Sequence, residues 1–314
     1  MHRQKFDLHQ QLNQACKKCM PMEREQNTDD GLCSLATSMA DGGPVRCVGS
    51  WSDQKIYFLT QYLGIFANGM KDKWDGNLHY IELCSGPGRC VDRDRGIEMD
   101  GTALAVLGHA TFEHLYSATF LDYNPAVVSA LNDRIMKRNL SSRAQAIEAN
   151  YNKPSDIAEI ISRRVQKGLA LVFIDPTDCS VPFATVAAMA HILQKADFII
   201  NIALGTDATR NIKPAILNAN SKAREKYVRF LGDDTFFTDH EIILLAQTDQ
   251  NERLRTKFRA RYRLSMETLG YKHFGLERVK HYYELLFASR HEQGLAFWKR
   301  AQKYKLNNQG TFDL

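Results

Sequence analysis

The segment Tyr80-Ile81-Glu82-Leu83-Cys84-Ser85-Gly86-Pro87-Gly88 puts an acid, small polar residues and two glycines into nine consecutive positions. Glycines at 86 and 88 let a backbone approach a ligand with no Cβ in the way. An apolar run feeding straight into such a turn reads as a strand ending at the carboxyl edge of a sheet, where open α/β folds bind nucleotides. Further polar groups follow where later strands should end. Asp122, with Tyr123 behind it, closes Thr119-Phe120-Leu121-Asp122, and a carboxylate there can accept hydrogen bonds from two adjacent ribose hydroxyls. Asn150 and Tyr151 follow Glu148 and offer an edge and a face to a purine; Asp175 ends Phe173-Ile174-Asp175 where an acceptor would meet a cofactor, with Asp178 as the nearest rival for a proton-handling role. Taken singly, a Gly-x-Gly is usually a tight turn and Asp-Pro a strand terminator. Four strand ends in succession, each with a suitable group, favour a ligand site.

The elements that position these groups are legible as periodicities. Runs at 78–83, 117–121, 144–147, 169–174 and 198–204 have strand length. Helical spacing separates them: Ile56, Leu59, Tyr62, Leu63 and Phe66 behind Ser52 as a candidate cap, then 126–138 behind Pro125, and 157–166. Strands alternating with helices predict an α/β fold with a doubly wound, mostly parallel sheet. The interval from Glu82 to Asp122 is 40 residues, about twice the common spacing, which predicts an insertion over 90–101. Beyond 205, Leu254, Phe258, Tyr262, Met266 and Leu269 form an apolar helical stripe, followed by a strand over 282–288 and a helix over 295–304. Residues 1–50 lack sustained periodicity and read as a small Cys-rich element appended to an α/β domain over 51–314.

That first element carries Cys16, Cys19, Cys33 and Cys47, four of the chain's seven cysteines, where random placement would put about one. Cys16-Lys-Lys-Cys19 has knuckle spacing, so four thiolates around zinc are the expectation, an iron–sulfur cluster or unligated thiols the alternatives, and His2 and His9 substitute ligands. Cys84, Cys90 and Cys179 read as packing residues. Arg253, Arg255, Lys257, Arg259, Arg261 and Arg263 occupy every second position without an acid among them, a cationic helix face suited to nucleic acid or simply solvated. The net charge of +5 neither demands nor excludes a polyanionic partner. No window reaches the roughly 18 apolar residues of a membrane helix, and the first residues carry charge without an apolar stretch behind them, so a cytoplasmic setting and no membrane association are expected.

The spacing of Glu82 with Cys84, Gly86 and Gly88 at offsets of two, four and six resembles the cofactor loop of Rossmann-like class I S-adenosylmethionine-dependent methyltransferases; Val91, where a dinucleotide fingerprint wants a small residue, departs from a nicotinamide loop. In order, Trp51, Lys55, Tyr80-Ile81-Glu82, Gly86-Pro87-Gly88, Phe173-Ile174-Asp175-Pro176, Arg210-Asn211, Tyr283-Glu284-Leu285-Leu286-Phe287-Ala288-Ser289, Gly294 and Trp298 resemble the three-Cys-motif partner protein (TcmP) family of bacteria and phages. The resemblance implies S-adenosylmethionine binding, possible methyl transfer, and a protein partner encoded by a neighbouring gene, with no settled acceptor. Asp175-Pro176-Thr177-Asp178 lacks the second proline and the aromatic residue that adenine amino-methyltransferases place there to stack on an extruded base. The expectation is therefore a methyltransferase-like protein with a nucleic-acid acceptor. A non-catalytic cofactor-sensing or partner-binding module and an NAD-dependent oxidoreductase stand as alternatives.

Overall fold

The computed structural model describes residues 13–17, 19, 28–29, 31–280 and 282–303. The strands are β1 (Thr28–Asp29), β2 (Leu32–Thr37), β3 (Pro44–Val48), β4 (Leu78–Leu83), β5 (Arg89–Asp92), β6 (Ile97–Asp100), β7 (Ser117–Asp122), β8 (Ala144–Glu148), β9 (Leu169–Ile174), β10 (Ala196–Ile202), β11 (His273–Val279) and β12 (Tyr283–Ser289). The helices are α1 (Gln14–Lys17), α2 (Ser52–Met70), α3 (Thr102–Leu107), α4 (Pro125–Lys137), α5 (Pro154–Arg164), α6 (Phe183–Ile192), α7 (Thr209–Leu217), α8 (Lys222–Leu231), α9 (His240–Gln247), α10 (Asn251–Thr268) and α11 (Glu292–Ala301). No helix among the described residues is long and apolar enough to cross a membrane.

Seven strands form the central sheet in the order β11-β12-β10-β9-β4-β7-β8, parallel from β10 to β8, with β12 antiparallel to both its neighbours. The doubly wound, mostly parallel sheet read from the sequence is the observed one. Its central strands are buried and largely apolar because both faces are covered. In β9, Ala170, Val172 and Ile174 enter the core beneath α5–α10, while Leu171 and Phe173 enter the opposite core against α2 and α11. Helix α4 starts where Asn124 accepts hydrogen bonds from the Ala126 and Val127 N–H groups, with Pro125 in the first turn. Ser52 does not cap α2; it is the first helical residue, and Trp51 takes the cap position without a side-chain bond. The strand expected to reach Leu204 stops at Ile202, and Leu204–Ala208 coils into one π-helical turn.

The insertion is a hairpin, β5–β6, and it changes the meaning of the N-terminal segment. β3 pairs in parallel with β5 in the register Arg46↔Cys90, Cys47↔Val91 and Val48↔Asp92, so residues 28–48 and 89–100 share one five-stranded sheet. An appended, separate element is thus not what the described residues form. Arg134 on α4 fixes this sheet to the main domain: it bonds both oxygens of Asp41 at 2.7 and 2.8 Å and donates to the carbonyls of Pro44 and Pro87. Arg89 does the same from within, bonding Glu98 at 2.7 Å and Asp100 at 2.6 Å in a buried setting.

Candidate functional site

The glycine turn leaves β4 through three residues of positive φ: Cys84 at 65°, Gly86 at 65° and Gly88 at 87°. Cys84 in this region is uncommon for a residue with a Cβ and marks local strain. The two glycines are required for different reasons. A Cβ on Gly88 would lie 2.9 Å from Leu104 and Leu131, inside the core, whereas one on Gly86 would lie 3.4 Å from Nε of Arg46, which reaches over the turn from β3. The hairpin that follows returns the chain to the same place: Gly101 N–H donates to Gly88 O at 2.7 Å, and α3 begins beside the turn as if the insertion were absent.

Glu82 and Asp122, both expected to bind a cofactor, are engaged within the protein. Glu82 is buried and accepts from the Tyr80 hydroxyl at 2.8 Å and from the Thr102 hydroxyl; burial pushes its carboxyl up to about 8. Asp122 accepts the Gly86 N–H at 2.9 Å and the Asn124 N–H at 3.2 Å. It braces the turn directly, which is a reason for an acid at that strand tip that ribose binding alone does not supply. Asn150 is exposed and caps its own turn through the Asn152 N–H. Tyr123 stands edge-on to Tyr151, with ring centres 6.2 Å apart.

An opening of about 450 Å³ lies between the carboxyl ends of β4 and β9, the point where the strand order reverses. Cys84, Ser85, Gly86, Pro87 and Gly88 line it, and so does Asp175; Glu82, Asp122, Tyr123, Asn150 and Tyr151 do not. Asp175 is held on both oxygens by Lys55 Nζ at 2.8 and 2.6 Å and accepts from Asn201 Nδ2 at 2.8 Å. Burial opposes the charge on Lys55, but Asp175 and Tyr283 together with lesser neighbours outweigh it and the ammonium's pKa rises. Three buried polar atoms facing this opening, Ser85 Oγ, Asn201 Oδ1 and Thr206 Oγ1, have no hydrogen-bond partner among the described residues. Unsatisfied buried groups are rare in folded proteins, and clustered ones mark a place for a polar ligand. Arg46, Asn201 and Thr206 were missed in the sequence. Arg46 sits in a segment without periodicity, and Asn201 lies inside an apolar run, where a polar residue aimed at a strand tip was the available hint.

Other predicted residues lie elsewhere. Asp178 is outside the opening and accepts from Lys226 at 3.1 Å; the same ammonium binds Asp207 at 2.7 Å, and Asp207 also takes the Cys179 N–H and the Tyr227 hydroxyl, each at 3.0 Å. The metal expectation is corrected: no group of three or more His, Cys, Asp or Glu among the described residues is placed to hold an ion. Cys16 packs against Ala36, Val45 and Val91, the Cys33 sulfur accepts the Ala36 N–H, and burial pushes the Cys47 thiol up; Cys19 joins no such group. His2 and His9 lie outside the described residues. The basic run does lie on a helix, α10, but it is not a free cationic face. Arg255 pairs with Glu252, Lys257 with Glu241, Arg259 with Glu284, Arg261 with Asp233 and Arg263 with Glu267, while Arg253 bonds Gln250. The acids missing from the run arrive largely from other elements. Phe258 and Tyr262 are core, as expected.

The chain matches no protein-family model and no curated protein, so the resemblance to the three-Cys-motif partner family is carried by its residue pattern alone. Among solved structures it is similar to a SAM-dependent methyltransferase from Aquifex aeolicus (12% identity, 67% of this chain and 80% of that chain, TM-score 0.34). It is similar also to the methyltransferase domain of bacterial CtHen1 (12% identity, 74% and 99%, TM-score 0.37) and to M. capricolum TrmK bound to S-adenosyl-homocysteine (10% identity, 72% and 67%, TM-score 0.32). These are likenesses of fold, and the assignment of the sheet rests on its own strand order and register.

Proposed function

We propose that this opening binds S-adenosylmethionine and that the chain is a methyltransferase-like protein whose acceptor enters the same crevice. One observation carries the reading: Ser85 Oγ, Asn201 Oδ1 and Thr206 Oγ1, all buried and without a hydrogen-bond partner among the described residues, surround a single opening at the switch point of the sheet. A ligand end bearing both an ammonium and a carboxylate fits that set. Asn201 Oδ1 is an acceptor for an ammonium, the Ser85 and Thr206 hydroxyls can donate to a carboxylate, and the Arg46 guanidinium beside Gly86 supplies the opposite charge. Asp122 and Tyr123, at the neighbouring strand tip, are the groups for the nucleoside end. The bound cofactor would supply a methyl group on a sulfonium, transferred with the S–C electron pair left on sulfur. The chain's own part is positioning: Asp175, fixed from both sides by Lys55 and Asn201, orients groups at the crevice. A nucleic acid is the acceptor class we favour.

The same fixed Asp175 favours a second reading, a cofactor-sensing module that binds without turnover. Incubation with radiolabelled methyl donor and mixed cellular DNA, RNA and protein separates the two. Label in the nucleic-acid fraction supports the proposal, label in protein alone moves the acceptor class, and cofactor binding without any label supports the second reading. Absence of cofactor binding overturns both.

A further inference from the structure

Four cationic side chains, Arg46, Lys55, Arg93 and Arg210, line the opening against one carboxylate, Asp175. They are not equivalent. Lys55 is neutralised by Asp175 at 2.6 Å. Arg46 is half-buried over the glycine turn, where Asp122 raises its pKa against the cost of desolvation. Arg93 and Arg210 remain: no ion pair joins either to a carboxylate among the described residues. Arg93 lies over the Trp51 ring at 4.8 Å, a contact that orients a guanidinium without cancelling its charge. Arg210, in the first turn of α7, is exposed. The contrast with α10 is direct, since five of its six cations have a carboxylate partner. Among the cations that line the opening, these two keep the charge that most cations of α10 share with a carboxylate.

We propose that the mouth of the opening receives a phosphate group carried by the acceptor, with Arg93 and Arg210 as its ligands. The inference rests on the reading of this crevice as the acceptor's entrance, and it goes beyond that reading by naming the chemical group. Each guanidinium presents a planar fork that matches two oxygens of a phosphate, and two unneutralised forks suit a dianion better than a single carboxylate. A free nucleotide and a nucleic-acid strand share this chemistry.

The test is calorimetric titration of the full chain with inorganic pyrophosphate, acetate, a 5′-mononucleotide and a short single-stranded oligonucleotide. Pyrophosphate is expected to bind at least tenfold more tightly than acetate. The double variant Arg93→Gln/Arg210→Gln is expected to lose at least tenfold in pyrophosphate affinity, with Arg→Lys at both positions restoring part of it, while Arg263→Gln on α10 binds as the wild type does. Tighter binding of the oligonucleotide, with a salt dependence that falls by about one unit of slope per arginine removed, identifies a strand; equal binding of the mononucleotide identifies a free nucleotide. Either supports the inference. Wild-type affinity in the double variant, or acetate binding as tightly as pyrophosphate, overturns it. Titration with S-adenosylmethionine in the same samples keeps the two readings apart: phosphate binding lost in the variant without cofactor binding in the wild type defeats the cofactor reading and leaves a phosphate site at Arg93 and Arg210 that serves no methyl acceptor.

Discussion

Two openings lie at opposite edges of the same sheet, and the larger is the less informative. At the amino edge, about 700 Å³ is enclosed largely by apolar and aromatic side chains, among them Phe66, Trp74 and Phe297. Its one buried acid, Asp197, is already answered: the Tyr62 hydroxyl bonds it at 2.9 Å, Ser289 donates to it, and burial pushes its carboxyl up to about 6. The opening at the carboxyl edge is smaller, about 450 Å³, but among the described residues its walls hold polar atoms without hydrogen-bond partners, and Arg93 and Arg210 without an ion pair to a carboxylate. Space alone therefore does not locate chemistry; unfinished hydrogen bonding and charge do.

The comparison can be broken most forcefully at the attachment of the small sheet, which roofs only the carboxyl-edge opening. Arg134→Ala leaves Asp41 without the partner that holds its carboxyl well below the usual range, and it releases the carbonyls of Pro44 and Pro87. Chemical denaturation should show a loss of about 3–5 kcal/mol, as for other broken buried ion pairs. A loss below 1 kcal/mol would mean that the small sheet is not fastened there. Next in size is Gly88→Ala, which forces a Cβ to 2.9 Å from Leu104 and Leu131 at a φ of 87°. We expect about 1–3 kcal/mol of destabilisation by the same measurement, the usual cost of overpacking. Unchanged stability would show that α3 and α4 can shift away.

The third test is a pH dependence. The Glu82 carboxyl is raised to about 8 in the folded chain, so between its ordinary value of 4.5 and about 8 the folded state holds a proton that the unfolded state has released. Stability from this group is full below 4.5 and is lost as pH rises through 8. The melting temperature of Glu82→Gln should therefore fall less than that of the wild type between pH 5 and pH 8. Parallel curves would show that Glu82 is ionised in the fold.

The sequence was readable where burial on both faces forces a continuous apolar run, as in Leu78–Leu83 and Leu169–Ile174, whose boundaries the periodicity places without error. It was readable at Asp175, because a carboxylate ending such a run has a predictable place at a strand tip. What it concealed depends on contacts between distant segments. The pairing of Arg46 with Cys90 across two sheet strands turns an apparently loose N-terminal stretch into the roof of the site. Likewise Asp233, Glu241 and Glu284, all outside the run they neutralise, cancel a basic face that looks uncompensated in one dimension. Asp122 shows the limit from the other side: its position at a strand tip was foreseen, but its bond to the Gly86 N–H was not.

The central claim concerns what the unpartnered atoms at the carboxyl edge are waiting for, and calorimetric titration of the chain with S-adenosylmethionine and, separately, with NAD addresses it most directly. One molecule of S-adenosylmethionine bound per chain, more tightly than NAD and with affinity reduced at least tenfold in Asn201→Leu, is the predicted result. Tighter binding of NAD, or an affinity for S-adenosylmethionine that Asn201→Leu leaves intact, would contradict the account.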